Sequence, residues 1–125
     1  MLNQKEAVAT IAVKDVGVAK KFYEDKLGLT PLPVHEKGVL SYKSGNSRLF
    51  VYESQFAGTN KATAVTWVVG NDLEAIVKAL KAKGVPFEHY DFPGTKREGD
   101  IHVSGNIRVA WCKDPDGNIL SLVTD

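Results

Sequence analysis

The chain has 125 residues, enough for one domain whose core needs neither disulfides nor metals as staples. Its composition, 43% hydrophobic and 25% charged, is that of an ordinary globular protein, and no run approaches the roughly 20 apolar residues of a membrane-spanning helix. A net charge of +1, with the basic residues scattered along the chain, gives no reason to expect nucleic acid or an anionic membrane as partner.

The opening stretch MLNQKEAVATIAV lacks a basic segment followed by an apolar run and a cleavage site, and the single cysteine, Cys112, excludes an internal disulfide. Both features favour the cytoplasm. Cys112, set in an apolar strand, reads as a small buried hydrophobe.

From residue 7, AVATIAV predicts a buried strand. Asp15 then caps a helix whose apolar residues Val16, Ala19, Phe22, Tyr23 and Leu27 recur at helical spacing, with Gly28 as its stop. Three short extended runs follow, TPLPVHE, VLSYKS and SRLFVYES, the last two separated by a turn at Gly45 and Asn46. A second pass repeats this order. ATAVTWVV predicts a strand, Asp72 a cap, Leu73, Ile76, Val77 and Leu80 one helical face, and Gly84 a stop. VPFEHYD, residues 85 to 91, predicts another strand. The arms IRVAWC and ILSLVT flank DPDGN, in which Asp, Pro, Asn and Gly are the residues of a tight turn, so they predict a hairpin.

The organisation is therefore α+β: a single domain over 1–125, with one βαβββ module at about 5–54, a linker at about 55–61, and a second βαβββ module at about 62–125. A pair of copies cannot stack as a solenoid, so the modules are expected to pack as a pseudo-symmetric pair. The Gly-rich, charged stretch at 92–106 stays open between a lid over the sheet and a solvated loop with a short edge strand at DIHV.

Three stretches, TIAVKDVGVAKKFYEDKLGL, VTWVVGNDLEAIVKALKAKGV and KDPDGNILSLV, together resemble the vicinal oxygen chelate superfamily of glyoxalases, bleomycin resistance proteins and extradiol dioxygenases. The resemblance implies eight strands curled into an incomplete barrel with the helices outside. It also implies a pocket on the concave face, where the family's enzymes hold a divalent metal with four His, Gln or Glu side chains. Carried over residue by residue, those positions fall on Val8, on Val51 with Glu53 two residues further along the same face, on Ala64 or, with a shift of one, Thr63, and on Ser121. Three of the four positions are thus apolar or weakly ligating and would leave a divalent ion short of the charged oxygen and imidazole donors it needs, so no metal ligands and no cofactor are expected.

Strand alternation then assigns to the pocket Val8, Thr10, Val51, Glu53, Ala64, Thr66, Val109, Trp111 and Ser121, a lining suited to a flat organic ligand. Glu53, if enclosed by apolar walls, would be a general-base candidate, since burial raises a carboxyl pKa. His35, His89 and His102 fall on none of the four positions and read as partly exposed. Glu88, His89, Tyr90, Tyr42, Arg48 and Tyr52 are candidates for the pocket mouth. Three functions stay open: a metal-free small-molecule binder, suggested by Val8, Ala64 and Ser121; a lyase, isomerase, dioxygenase or transferase using an unusual metal site or Glu53; and a noncatalytic interaction module. The resemblance also implies a homodimer.

Overall fold

Asp15 starts the first helix as its position predicts, its carboxylate accepting from the backbone N–H groups of Gly17 at 2.7 Å and Val18 at 3.4 Å. The computed structural model describes residues 1–124. Within it the chain divides into two compact units, Met1–Thr59 and Asn60–Asp125, and the division falls inside the expected linker.

In the first unit, β1 (Ala9–Val13) leads into α1 (Val16–Lys20), which continues without a break as a π-helical segment over Lys21–Lys26. There the Leu27 N–H reaches back to the Phe22 carbonyl, and the widened turn lets the adjacent Phe22 and Tyr23 both be buried. Strands β2 (Thr30–Leu32), β3 (Val39–Ser44) and β4 (Ser47–Glu53) complete a four-stranded sheet in the order β1-β4-β3-β2, with β1 and β4 parallel. Its core comprises Ile11, Val13, Leu49 and Val51 from the strands, packed with Ala19, Phe22 and Tyr23. Tyr42 belongs to this core, not to a pocket mouth: it is wholly buried, stacked at 6.2 Å on Tyr23, and its hydroxyl donates to Glu24 at 2.9 Å. Burial and the neighbouring Glu24 carboxylate push its phenol pKa far above the usual range.

The second unit runs β5 (Thr63–Val68), α2 (Leu73–Ala82), β6 (Phe87–Glu88), β7 (Lys96–Glu98), β8 (Ile101–Ser104), β9 (Ile107–Lys113) and β10 (Ile119–Val123). Its six strands pair in the order β5-β10-β9-β8-β7, with β6 also paired to β9. Asp72 differs from expectation: a short 3₁₀ turn at Gly70–Asp72 precedes α2, and the Asp72 side chain makes no capping bond. The helix ends as predicted at Gly84, whose φ of +81° allows paired bonds from Gly84 N–H to Lys81 and from Val85 N–H to Leu80. Of VPFEHYD only Phe87 and Glu88 are strand. Within the stretch 92–106, Lys96–Glu98 and Ile101–Ser104 pair as β7 with β8, and β8 pairs with β9, so DIHV contributes the short strand expected of it. This hairpin raises the strand count of the second unit above the four expected per module.

The DPDGN turn sets the register between β9 and β10. Asp114 Oδ1 accepts from the N–H groups of Asp116 at 2.9 Å and Asn118 at 2.8 Å, while Oδ2 accepts from the Asn118 amide at 2.8 Å. Both Asp114 and Asn118 are buried, and Gly117 supplies the positive φ the turn requires. Replacing the carboxylate in Asp114→Ala leaves these donors without their acceptor, and a loss of about 2–4 kcal/mol in urea unfolding is expected. A loss below about 0.5 kcal/mol would show that the register is set elsewhere.

Candidate functional site

Each sheet has one face turned to its helix and one free of it, and the free faces carry the candidate residues. In the second unit the helix side holds Val65, Leu120, Leu122, Ala110 and Cys112, which join Leu73, Val77 and Leu80 of α2 in the apolar packing. On the other side Ser121 stands between Thr66 of β5 and Trp111 of β9, and Val109 pairs with Val123 beside them. This is the row that strand alternation predicts. Ala64 departs from it. The register shifts between Ile119 and Leu120, so that Thr63, not Ala64, meets Ile119 and lines the cavity beside it.

That cavity, about 250 Å³ in volume, is bounded by Lys61, Thr63, Tyr90, Phe92, Trp111 and Ile119. Trp111 meets Tyr90 edge-on with centroids 5.2 Å apart, and Phe92 at 5.8 Å. Glu88 pairs with Trp111 across the sheet and forms an ion pair with Lys113 at 3.1 Å.

Behind these rings lies His102, which is 2% exposed, not partly exposed as its sequence context suggests. It pairs with Val109, meets Trp111 edge-on at 4.8 Å, and accepts the Tyr90 backbone N–H on Nε2 at 2.9 Å. A neutral imidazole accepting on Nε2 carries its proton on Nδ1, and Nδ1 is buried with no hydrogen-bond partner among the described residues. Neither this role nor that of Phe92 was legible locally. Parity from β9 onto DIHV would have placed His102 beside Trp111, had that pairing been known.

His89 is more open and bonds Asp100 Oδ1 at 2.7 Å, while Lys81 bonds Oδ2 at 2.6 Å. These two neighbours hold the Asp100 carboxyl below its ordinary pKa.

In the first unit β1 and β4 pair Thr10 with Phe50 and Ile11 with Val51. Val51 is therefore a core residue on the helix side, wholly buried, and shares no face with Thr10. Glu53 lies on the same side as Val51 and is exposed, with its Oε1 accepting the Val16 N–H at 3.4 Å beside the start of α1. The enclosure by apolar walls expected for a general base is not found. The free face carries Thr10, Phe50 and Tyr52 with Arg48. Val8 precedes β1 and is half-buried, its carbonyl accepting the Thr10 hydroxyl at 3.3 Å.

The donor set does not fit a divalent ion. Val8, Val51, Ala64 and Ser121 offer one hydroxyl among them, taking Thr63 for Ala64 adds a second, and Glu53, the one carboxylate among the carried-over positions, lies on the helix side of its sheet with its Oε1 at the start of α1. Among the described residues no three His, Cys, Asp or Glu side chains are grouped to hold a metal. Nor does any described helix have the length and apolarity to cross a membrane.

The model of the Glyoxalase/Bleomycin resistance protein/Dioxygenase superfamily matches residues 7–122, and the chain belongs to that superfamily. No curated relative matches the chain. Solved structures similar to it include the fosfomycin resistance protein FosX from Listeria monocytogenes, at 15% identity and a TM-score of 0.70, covering 100% of this chain and 93% of that one. Lactoylglutathione lyase from Agrobacterium tumefaciens aligns at 16% identity and a TM-score of 0.69, over 96% and 92% of the two chains. A glyoxalase/bleomycin resistance protein/dioxygenase from Alicyclobacillus acidocaldarius aligns at 17% identity and 0.70, over 96% and 90%. At such identities the likeness is one of fold.

Cys112 has no place in the site's chemistry. It is 1% exposed, and burial together with the nearby Asp114 pushes its thiol pKa up to about 12. The folded protein should resist iodoacetamide at mildly alkaline pH under conditions that label it fully in concentrated urea, as read by intact mass. Labelling of the folded protein at the unfolded rate would contradict the burial.

Proposed function

We propose that the protein is a metal-free small-molecule binder that takes a flat, largely apolar aromatic compound on the helix-free face of its second unit. The observation that carries this reading is the cavity in which Trp111, Tyr90 and Phe92 form an aromatic wall beside Ile119, with the Thr63 hydroxyl and the Lys61 amine as its polar points. Ser121 and Thr66 continue that face beside Trp111. The donor set supports a metal-free role, since the side chains at the family's ligand positions can pack and donate hydrogen bonds but cannot hold a divalent ion through charged oxygen and imidazole. Assembly as a homodimer belongs to the same proposal on the family resemblance, and a reducing compartment such as the cytoplasm agrees with the single free thiol.

Two measurements test this. After incubation with nickel, zinc, iron(II) and manganese and then dialysis, elemental analysis should find no stoichiometric metal. Retention of about one ion per chain would overturn the metal-free reading. In a Trp67→Phe background, where Trp111 is the only tryptophan left, 2-naphthylmethanol should quench the fluorescence saturably. In calorimetry Trp111→Leu should weaken its binding about tenfold or more, the scale of one stacked aromatic contact and its buried area. Unsaturable quenching, or equal affinity in Trp111→Leu, would overturn the aromatic site.

A further inference from the structure

The helix-free face of the first unit has chemistry of its own. A groove of about 540 Å³ runs across it, within the volume range of small-molecule sites. Val39, Phe50 and Tyr52 form its apolar part, the loop at Pro33 and Val34 forms a wall, and the buried Ser41 hydroxyl joins Thr10 as a polar point. Arg48 lines the same groove with its guanidinium 5.6 Å from the centroid of the Phe50 ring.

The lining carries one cation, Arg48, and one carboxylate, Glu36, which comes with His35 from the loop after β2, and a second cation stands beside Arg48. Arg48 pairs directly across the sheet with Lys43, so two cations stand side by side on neighbouring strands. Neither forms an ion pair with a carboxylate among the described residues. Like charges directly opposite each other in a sheet are destabilising, and an anion placed between them would remove that cost. A guanidinium is suited to a carboxylate because its planar fork can donate two parallel hydrogen bonds, while Lys supplies a second point charge.

We propose that this groove is a second ligand site, selective for a flat aromatic anion whose carboxylate meets Arg48 and Lys43 while its ring lies along Phe50 toward Tyr52. The anionic group is recognised by the paired cations and the ring by the apolar floor, so both halves of the ligand contribute to affinity. This site does not depend on the reading of the second unit. Its residues come from Met1–Thr59 only, and no tryptophan is among them.

The test uses the full-length chain, with 2-naphthoate and its neutral analogue 2-naphthylmethanol as probes. Amide spectra map where each binds and calorimetry gives affinities. We expect 2-naphthoate to shift the amides of Thr10, Ser41, Phe50 and Tyr52. Arg48→Gln and Lys43→Gln should each weaken that binding by about tenfold, the scale of one charge-assisted contact. Both positions are exposed, so either variant should keep the fold. At the first-unit amides, 2-naphthylmethanol should bind more weakly than 2-naphthoate in the parent chain. Added salt should weaken 2-naphthoate alone. Shifts from 2-naphthoate confined to Thr66, Trp111 and Ser121 would overturn the proposal, as would equal first-unit affinity for acid and alcohol, or unchanged 2-naphthoate affinity in both variants. Trp111→Leu separates the two sites: it should abolish the second-unit shifts and leave the first-unit response to 2-naphthoate intact, so either proposal can fail without the other.

Discussion

The Asp114 carboxylate is the constraint on which the second unit's site depends. A tight turn between two strands leaves backbone donors that strand pairing cannot satisfy, and here one buried side chain accepts them. With those donors held, Gly117 bonds back to the Asp114 carbonyl and the arms can leave the turn in only one register. That register decides the chemistry. A slip of β10 by one residue would send Ser121 to the helix side and set Leu120 or Leu122 beside Trp111 on the free face, exchanging a hydroxyl for an apolar side chain.

The first unit reaches the same division of faces by another route. Its helix is short in α form and widens into a π-turn, which brings two consecutive aromatic residues into the core. Phe22 and Tyr23 meet edge-on and Tyr23 stacks on Tyr42, so rings occupy volume that α2 fills with aliphatic side chains in the second unit. Apolar packing takes up the middle of the helix side, so the polar residues that alternate with it are left to the opposite face, while Glu53 stays on the helix side at the end of β4. Arg48, Ser41 and Lys43 alternate with core residues for this reason.

Much of this was legible in the chain. The capping Asp15, the glycine stops and the hairpin at DPDGN follow from local chemistry, and the row of Thr66, Ser121 and Trp111 follows from the family resemblance extended by a period of two. What failed did so where a tertiary partner decides. The family resemblance places Val51 in the pocket, and the residues of SRLFVYES do not correct that by themselves: the parity of β4 depends on its register with β1, and its exposed Arg48 and Tyr52 and its buried Leu49 and Val51 are all common strand residues. Ala64 gave way to Thr63 through a register shift in β5, a feature of pairing and not of composition. The burial of His102 depends on β8 joining β9, and a stretch as rich in Gly and charge as 92–106 carries little sign of that pairing. Asp72 looked like Asp15 in sequence, yet the 3₁₀ turn before α2 changes the backbone at the cap, so the same side chain makes no capping bond.

The side chains also limit the affinity such sites can reach. A metal centre concentrates binding in a few strong bonds, whereas these faces offer contacts with rings, methyl groups, hydroxyls and single cations. A bicyclic aromatic ligand burying roughly 150–250 Å² would gain about 4–6 kcal/mol from apolar area. Association costs at least about 4 kcal/mol of lost freedom, so area alone yields weak binding. Tight binding then requires a preorganised wall, which the mutual edge contacts of Trp111, Tyr90 and His102 supply, or a charge-assisted bond, which Arg48 and Lys43 supply. Under the two proposals the faces would select by different means: the second unit by the shape of an aromatic wall, the first by the sign of the ligand's charge.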